Sequence, residues 1–295
     1  FVNVTNISGA TVVDTQGLGT IQNDDSPPAP IVASVVVAPS TATINRGQTQ
    51  QFTATAFDPS NQPVPGATFT WSSSNTAVAT IDANGLATGV GIGTTTITAT
   101  TSDGMGGNVS GTATLTVQVP LVINEILADV PPDNAVTTNV VEGDANRDGT
   151  RSSDDDEFVE LLNNSSSPVD ISGVVISDST SNRFTFPANT ILAAGRAVVI
   201  FGGGSPPTND PAFGGSLILT TSSLGLNDSG SPADTVTVKL NVGGTDVTIA
   251  AVTYGGTGNP PAPTDQSLTR SPDAEINSAG GNFVAHTSAT NAAGR

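Results

Sequence analysis

The chain has 295 residues, with Lys+Arg 8 against Asp+Glu 26 and a formal charge of −18. Nothing in it could neutralise a row of phosphates, so nucleic acid is excluded as a partner. It has no Cys, so disulfides and thiolate metal sites are excluded too, and each domain must fold on apolar burial and strand pairing.

Phe1 opens a strand-like pattern without an initiator Met or a signal peptide, and residue 1 reads as a processing or cloning boundary. Residues 1–25 alternate through Val2, Val4, Ile7 and Val12 as a hairpin or strand leader. An isolated two-stranded hairpin is marginal in water and leaves its edges open, so something must cover it. Asp24-Asp-Ser-Pro-Pro-Ala-Pro30 follows as a semi-rigid proline-rich linker over 26–30.

Beyond it, period-two runs dominate. They include Phe52-Thr-Ala-Thr-Ala-Phe57, Thr96-Ile-Thr-Ala-Thr100, Thr112-Ala-Thr-Leu-Thr-Val117 and Asp234-Thr-Val-Thr-Val-Lys-Leu240. Each puts one face in a core and one in water. Turn signals at Asn84-Gly85, Asp103-Gly104, Asp148-Gly149 and Gly243-Gly244 separate them, which is the pattern of sandwiches or barrels. The pattern changes at Gln118-Val-Pro120, where Leu121-Val-Ile-Asn-Glu-Ile-Leu127 begins. No apolar run approaches the ~18 residues of a membrane span. The fold class expected is all-β, with tandem β-sandwiches behind the leader.

Residues 31–119 resemble the bacterial immunoglobulin-like group 2 family. The resemblance rests on Val35-Val-Val-Ala-Pro39, Gly47-Gln-Thr-Gln-Gln-Phe-Thr-Ala54, Thr70-Trp-Ser-Ser-Ser-Asn75, Val78-Ala-Thr-Ile-Asp82, Asn84-Gly-Leu-Ala-Thr-Gly89 and Gly93-Thr-Thr-Thr-Ile-Thr-Ala99. Phe52, Trp71, Val78, Ile81 and Ile97 fall on inward phases, and Asn84-Gly85 supplies positive φ for a tight hairpin. Trp71 reads as core and not as a carbohydrate platform.

Residues 120–295 resemble a bacterial lamin-tail domain, itself an immunoglobulin-like sandwich. The motifs are Val122-Ile-Asn-Glu-Ile-Leu127, Asp156-Glu-Phe-Val-Glu-Leu161, Val169-Asp-Ile-Ser-Gly173, Phe184-Thr-Phe-Pro187, Ile191-Leu-Ala-Ala-Gly195, Val198-Val-Ile-Phe201 and Ser267-Leu-Thr-Arg-Ser-Pro272, with an acidic insertion at 133–157. Residues 1–25 resemble the closing strands of a Calx-β domain, through Phe1-Val-Asn-Val-Thr-Asn and Ala10-Thr-Val-Val-Asp-Thr. Two explanations stand for this leader. It is either the cut end of an upstream domain or a donor that completes the sheet of a neighbouring copy.

Asp144-Ala-Asn-Arg-Asp-Gly-Thr-Arg-Ser-Ser-Asp-Asp155 fits the calcium-loop pattern D-x-[DN]-x-[DN]-G. Asp144, Asn146 and Asp148 would give side-chain oxygens, Thr150 its carbonyl, Ser152 a hydroxyl or bridging water, and Gly149 the sharp turn. Asp155 stands at position 12, as in a dockerin-type loop, but no helix pattern flanks it. Glu157, Glu160 and Glu125 are expected at the same edge. Oxygen-only ligands favour Ca²⁺ over transition metals, and the competing reading is a solvated acidic loop with Arg147 and Arg151 partly neutralising it. Asn23-Asp-Asp25 reads as a turn or linker cap.

Catalysis lacks its parts. His286 is the only histidine and has no nucleophile elbow beside it. Gly202-Gly-Gly204 and Gly255-Gly256 precede no helix pattern and read as hairpin or bulge positions, not phosphate loops. Lys239 has an ordinary solvent-facing explanation, set against an isopeptide cross-link. The carboxylates Asp154, Asp155, Asp156 and Glu157 lack the aromatic-lined cleft of a glycosidase. The expectation is a non-enzymatic extracellular structural or adhesive protein. It would be a subunit of a surface filament or matrix whose partners are copies of itself, joined by strand addition, or upstream modules of a parent chain. The alternative is an accessory region of a large secreted hydrolase or nuclease.

Overall fold

Segments of alternating β-branched residues become strands along the whole chain, and the only helical element is a single 3₁₀ turn at Pro211–Phe213 among the described residues. The computed structural model describes residues 2–3, 16–17, 31–132, 143–227, 232–260, 267–271 and 282–285. β1 (Val2–Asn3) and β2 (Gln16–Gly17) pair antiparallel and join no other sheet among the described residues.

The first module runs through β3 (Ser34–Ala38), β4 (Thr41–Asn45), β5 (Thr49–Gln51), β6 (Thr53–Phe57), β7 (Thr70–Ser73), β8 (Ala79–Ile81), β9 (Leu86–Gly89), β10 (Gly93–Ser102) and β11 (Asn108–Gln118). Its main sheet has the order β4-β11-β10-β7, and β3-β6 and β5-β9-β8 cover the other side. Alternate residues of these strands, among them Val35, Val37, Ile97, Ala99, Ala113, Leu115 and Val117, meet Phe52 and Val78 in one core. Trp71 and Ile81, expected inside with them, are only half-buried at its margin. The Trp71 indole lies under the 82–86 turn, where a Cβ on Gly85 would stand 3.0 Å from the ring. That turn corrects the expected hairpin: only Gly85 has positive φ, at 81°. Asp82 Oδ1 accepts the N–H groups of Asn84 and Leu86, so an Asx turn leaves Asn84 no need of a left-handed conformation.

The second module contains β12 (Leu121–Leu127), β13 (Phe158–Asn163), β14 (Val169–Asp170), β15 (Val174–Ser177), β16 (Asn182–Thr185), β17 (Ile191–Leu192), β18 (Ala197–Phe201), β19 (Leu217–Thr220), β20 (Asp234–Val242), β21 (Thr245–Tyr254), β22 (Leu268–Ser271) and β23 (Asn282–Ala285). A six-stranded sheet, β19-β18-β13-β12-β22-β23, faces a four-stranded one, β16-β15-β20-β21, across a core that includes Ile123, Leu161, Ile176, Val198, Val238 and Tyr254. Along β13 and β18 the residues pointing the other way, Phe158, Val199 and Phe201, build a second cluster with Leu127 and Phe213. Around β12, β13 and β18 this sheet therefore packs apolar side chains on both faces, and β18, Ala197-Val-Val-Ile-Phe201, is a continuous apolar run. Phe158 and Phe201 meet edge to face at 5.7 Å.

Only Val119 and Pro120 separate β11 from β12. Val117 lies in the first core, while Val119 and Leu121 lie in the second. Beside this connection the Arg46 guanidinium donates to the carbonyls of Val90 (2.7 Å) and Ser172 and stands 3.9 Å from the Asp170 carboxylate. Asp170 N–H returns a bond to Arg46 O at 3.2 Å, and Asn45 Nδ2 donates to Ser165 Oγ at 3.0 Å. Val242 at the tip of the β20–β21 hairpin packs against both cores. A Cβ on Gly91 would meet it at 3.0 Å.

Candidate functional site

The 143–156 segment folds on its own short polar side chains. Asp148 N–H lies between Asp144 Oδ1 (3.1 Å) and Asn146 Oδ1 (2.9 Å), so these two oxygens share one donor and lie together. Gly149, at φ 94°, brings its N–H to Asp144 Oδ2 at 2.9 Å, and Thr150 N–H reaches Asp148 Oδ1 at 3.0 Å. Loop positions 1, 3 and 5 thus converge on one turn. The remaining expected ligands form the other half of the loop. Thr150 is exposed, and Ser152 Oγ accepts Asp155 N–H at 3.1 Å. Among the described residues no three His, Cys, Asp or Glu side chains gather as a metal centre.

Asp156, one position past the expected ligands, ties the halves together. It is fully buried, and its two oxygens accept Asn146 N–H (2.8 Å) and Ser152 N–H (2.7 Å). Burial pushes its carboxyl up to about 6; these two N–H bonds oppose the rise, while the charges of Asp144 and Asp148 add to it. The loop therefore concentrates negative charge around a desolvated carboxylate.

Gly202-Gly-Gly204 is the feature that sequence reasoning misread. It is a cradle for this loop, not a bulge in a ladder. A Cβ on Gly202 would fall 1.8 Å from Asp154 O, on Gly203 2.0 Å from Asp155 Oδ1, and on Gly204 2.3 Å from Asn146 Nδ2. Ser205 N–H then donates to Asp148 Oδ2 at 3.1 Å. Three glycines in a row at the end of an apolar strand were the available signal, since only glycine lets a backbone carbonyl, as at Gly202, or folded-back polar side chains, as at Gly203 and Gly204, approach so closely.

The flanking arginines and glutamates divide differently from expectation. Arg147 leaves the loop to pair with Asp210 at 2.9 Å, and Arg151 donates to the carbonyls of Pro131 and Val130. Glu125 and Glu160 face each other across β12 and β13 and are both buried. Glu125 accepts Ser267 Oγ–H, Glu160 accepts Asn124 Nδ2 at 2.6 Å, and Glu157 accepts Leu226 N–H at 3.3 Å. Lys239 pairs with Asp246 at 3.1 Å on the solvent side of β20 and β21. His286 and Asn23-Asp-Asp25 lie outside the described residues, as does most of the leader. No described helix is long and apolar enough to cross a membrane.

Residues 31–119 match the family described as Bacterial Ig-like domain (group 2), and residues 116–256 match the Lamin Tail Domain. β22 and β23 lie beyond the second match yet complete its six-stranded sheet. No curated protein matches the chain. Among solved structures, domains 4 and 5 of the S-layer protein SbsC align at 21% identity and TM-score 0.25, over 30% of this chain and 53% of that one. A DUF4876 family protein from Bacteroides thetaiotaomicron aligns at 10% identity and TM-score 0.33, over 88% and 94%. The adhesin InvE of Yersinia pseudotuberculosis aligns at 16% and TM-score 0.26, over 76% and 61%. This chain thus spans about half the length of the first of these structures. Residues 31–256 match, in order, a bacterial Ig-like group 2 domain and a lamin tail domain.

Proposed function

We propose that the chain is a non-enzymatic extracellular structural or adhesive protein whose two sandwiches act as a stiff spacer within a surface filament or matrix. The observation that carries this reading is the joint. Two residues separate the modules, Arg46 is tied to carbonyls on both sides, and Val242 packs into both cores. A flexible linker would let the modules tumble independently; this connection transmits orientation. Assembly would use copies of the chain as partners, the strands of the residue 1–25 leader adding to a neighbour's sheet edge.

Calcium would be held by Asp144, Asn146, Asp148, the Thr150 carbonyl, Ser152 and Asp155. The gathered oxygens of the first three and the crowding of charge about Asp156 support that ligand set. An oxygen-only shell suits Ca²⁺ at the roughly 10⁻⁴ to 10⁻³ M affinity of extracellular modules. The ion would stiffen the long segment between β12 and β13.

Electron microscopy of the intact chain and of a chain lacking residues 1–25 tests assembly: regular fibres are expected from the first only. A strictly monomeric intact chain rejects the filament. Titration calorimetry with Ca²⁺ should show binding that vanishes in Asp144→Ala, and equal heats in the two proteins reject the metal site.

A further inference from the structure

Six of the seven described cations are engaged. Arg46, Arg147, Arg183 and Lys239 stand near carboxylates, while Arg151 and Arg270 donate to carbonyls. Arg196 is different. It is exposed and its one hydrogen bond, to Gly214 O, is at the 3.5 Å limit. Each of the other six makes a hydrogen bond or ion pair of 3.1 Å or shorter, so Arg196 is the most weakly engaged of the described cations.

Its position gives it a use. Arg196 lines a groove of about 630 Å³ with Ile191, Asp210, Pro211, Phe213 and Leu217. Ile191 and Leu217 are 57% and 38% exposed, so the floor offers apolar surface. Asp210 does not cancel the charge of Arg196, because its carboxylate is bound by Arg147 and by Ala212 N–H. The groove borders β19, an edge strand bonded in parallel to β18 on one side, with Val198 opposite Leu217, and to no strand on the other among the described residues. Arg196 immediately precedes β18. Its guanidinium reaches across to the start of β19, where a Cβ on Gly215 would lie 3.5 Å from Nη1. At the start of β19 an edge that pairs with no further strand among the described residues, the exposed Ile191 and Leu217 and the Arg196 guanidinium lie together, which suits a peptide strand whose end enters the groove.

We propose that this groove binds an extended, apolar peptide segment carrying a carboxylate, which adds as a strand to β19 and places the carboxylate on Arg196. The backbone ladder would give affinity and Arg196 would give selection for an acidic partner. This is separate from the leader and from the calcium loop, and it stands if either of those readings fails.

The probes are fluorescein-labelled octapeptides of alternating Val and Thr with one Glu near either end, read by fluorescence anisotropy on the intact chain. One of the two should bind. Replacing its Glu by Lys, or using Arg196→Ala protein, should weaken binding about tenfold, the scale of one hydrogen bond to a charged group. Methylating alternate backbone nitrogens of the peptide should abolish it. Arg196→Lys should fall between the native protein and Arg196→Ala, since it keeps charge but loses the planar fork; it serves as the test if Arg196→Ala melts early. The proposal is overturned if neither peptide binds at millimolar concentration, if Arg196→Ala and Arg196→Lys both bind as the native chain does, or if the methylated peptide binds equally well.

Discussion

Gly202→Ala should unfold the second module well below its native melting temperature. Gly202 is buried at the end of β18, with its N–H on Glu157 O at 2.8 Å and φ outside the left-handed region, so an alanine backbone is allowed there. The cost is purely one of space. The added methyl would lie 1.8 Å from Asp154 O and 3.0 Å from its carbon, against a comfortable separation of about 3.5 Å. Backbone must move by more than an ångström on one side or the other. Overpacking of this kind costs about 1–3 kcal/mol, and a clash with a carbonyl instead of a flexible side chain belongs at the upper end. At about 2–4 °C per kcal/mol for a module of this size, the melting temperature should fall by about 6–12 °C. Gly173→Ala is the comparison: nothing lies within 4 Å of its Cβ, but φ is 71°, so only conformational strain of about 1–2 kcal/mol is expected. Differential scanning calorimetry of the intact chain reads both. If Gly202→Ala melts at or above Gly173→Ala, the cradle does not exist as described.

Arg46→Ala should leave each module folded while freeing their relative orientation, seen as broadened distances between spin labels placed one on each module; an unchanged distribution would mean that the guanidinium does not hold the joint. Val242→Ala should add to that broadening, because its side chain packs against both cores. Asp178 supplies a pH test. Burial alone would raise its carboxyl, but Arg183 Nη2 at 2.6 Å and the N–H groups of Ser181 and Thr180 outweigh burial and hold it at about 2. A depressed native value contributes stability above the ordinary carboxylate range, which is lost as pH falls through about 2. Asp178→Asn should therefore melt lower than the native protein at pH 7, and the gap should close between pH 4 and pH 2. A gap that stays constant down to pH 2 counts against the ion pair.

The strand phases were legible because burial on one face leaves a period of two in the residues themselves: Ile97, Ala99, Ala113 and Leu115 could be placed inward from spacing alone. The loop's turn was legible for the same kind of reason, since Asp144, Asn146, Asp148 and Gly149 carry their hydrogen bonds on adjacent side chains. What escaped depends on backbone atoms distant in sequence. Arg46 is held by the carbonyls of Val90 and Ser172, and any residue supplies a carbonyl. Glu125 and Glu160, expected at the acidic loop, are cross-strand neighbours, a placement fixed by the register shift between Ile123 and Glu125. Asp156 is not told apart from Asp154 and Asp155 by the sequence, because nothing in a run of aspartates says which of them the turn will bury fully.

The pairing of β4 with β11 has a mechanical consequence. These strands lie near the two ends of the first module and run parallel, with Thr41 opposite Thr114 through to Asn45 opposite Gln118. Tension applied along the chain pulls the start of β4 and the end of β11 in opposite directions, along the strands and not across them. All the bonds of that ladder are then loaded together in shear, where peeling would break them one at a time. Rupture requires their simultaneous failure, and the two-residue connection passes the same load directly into β12 and the six-stranded sheet beyond.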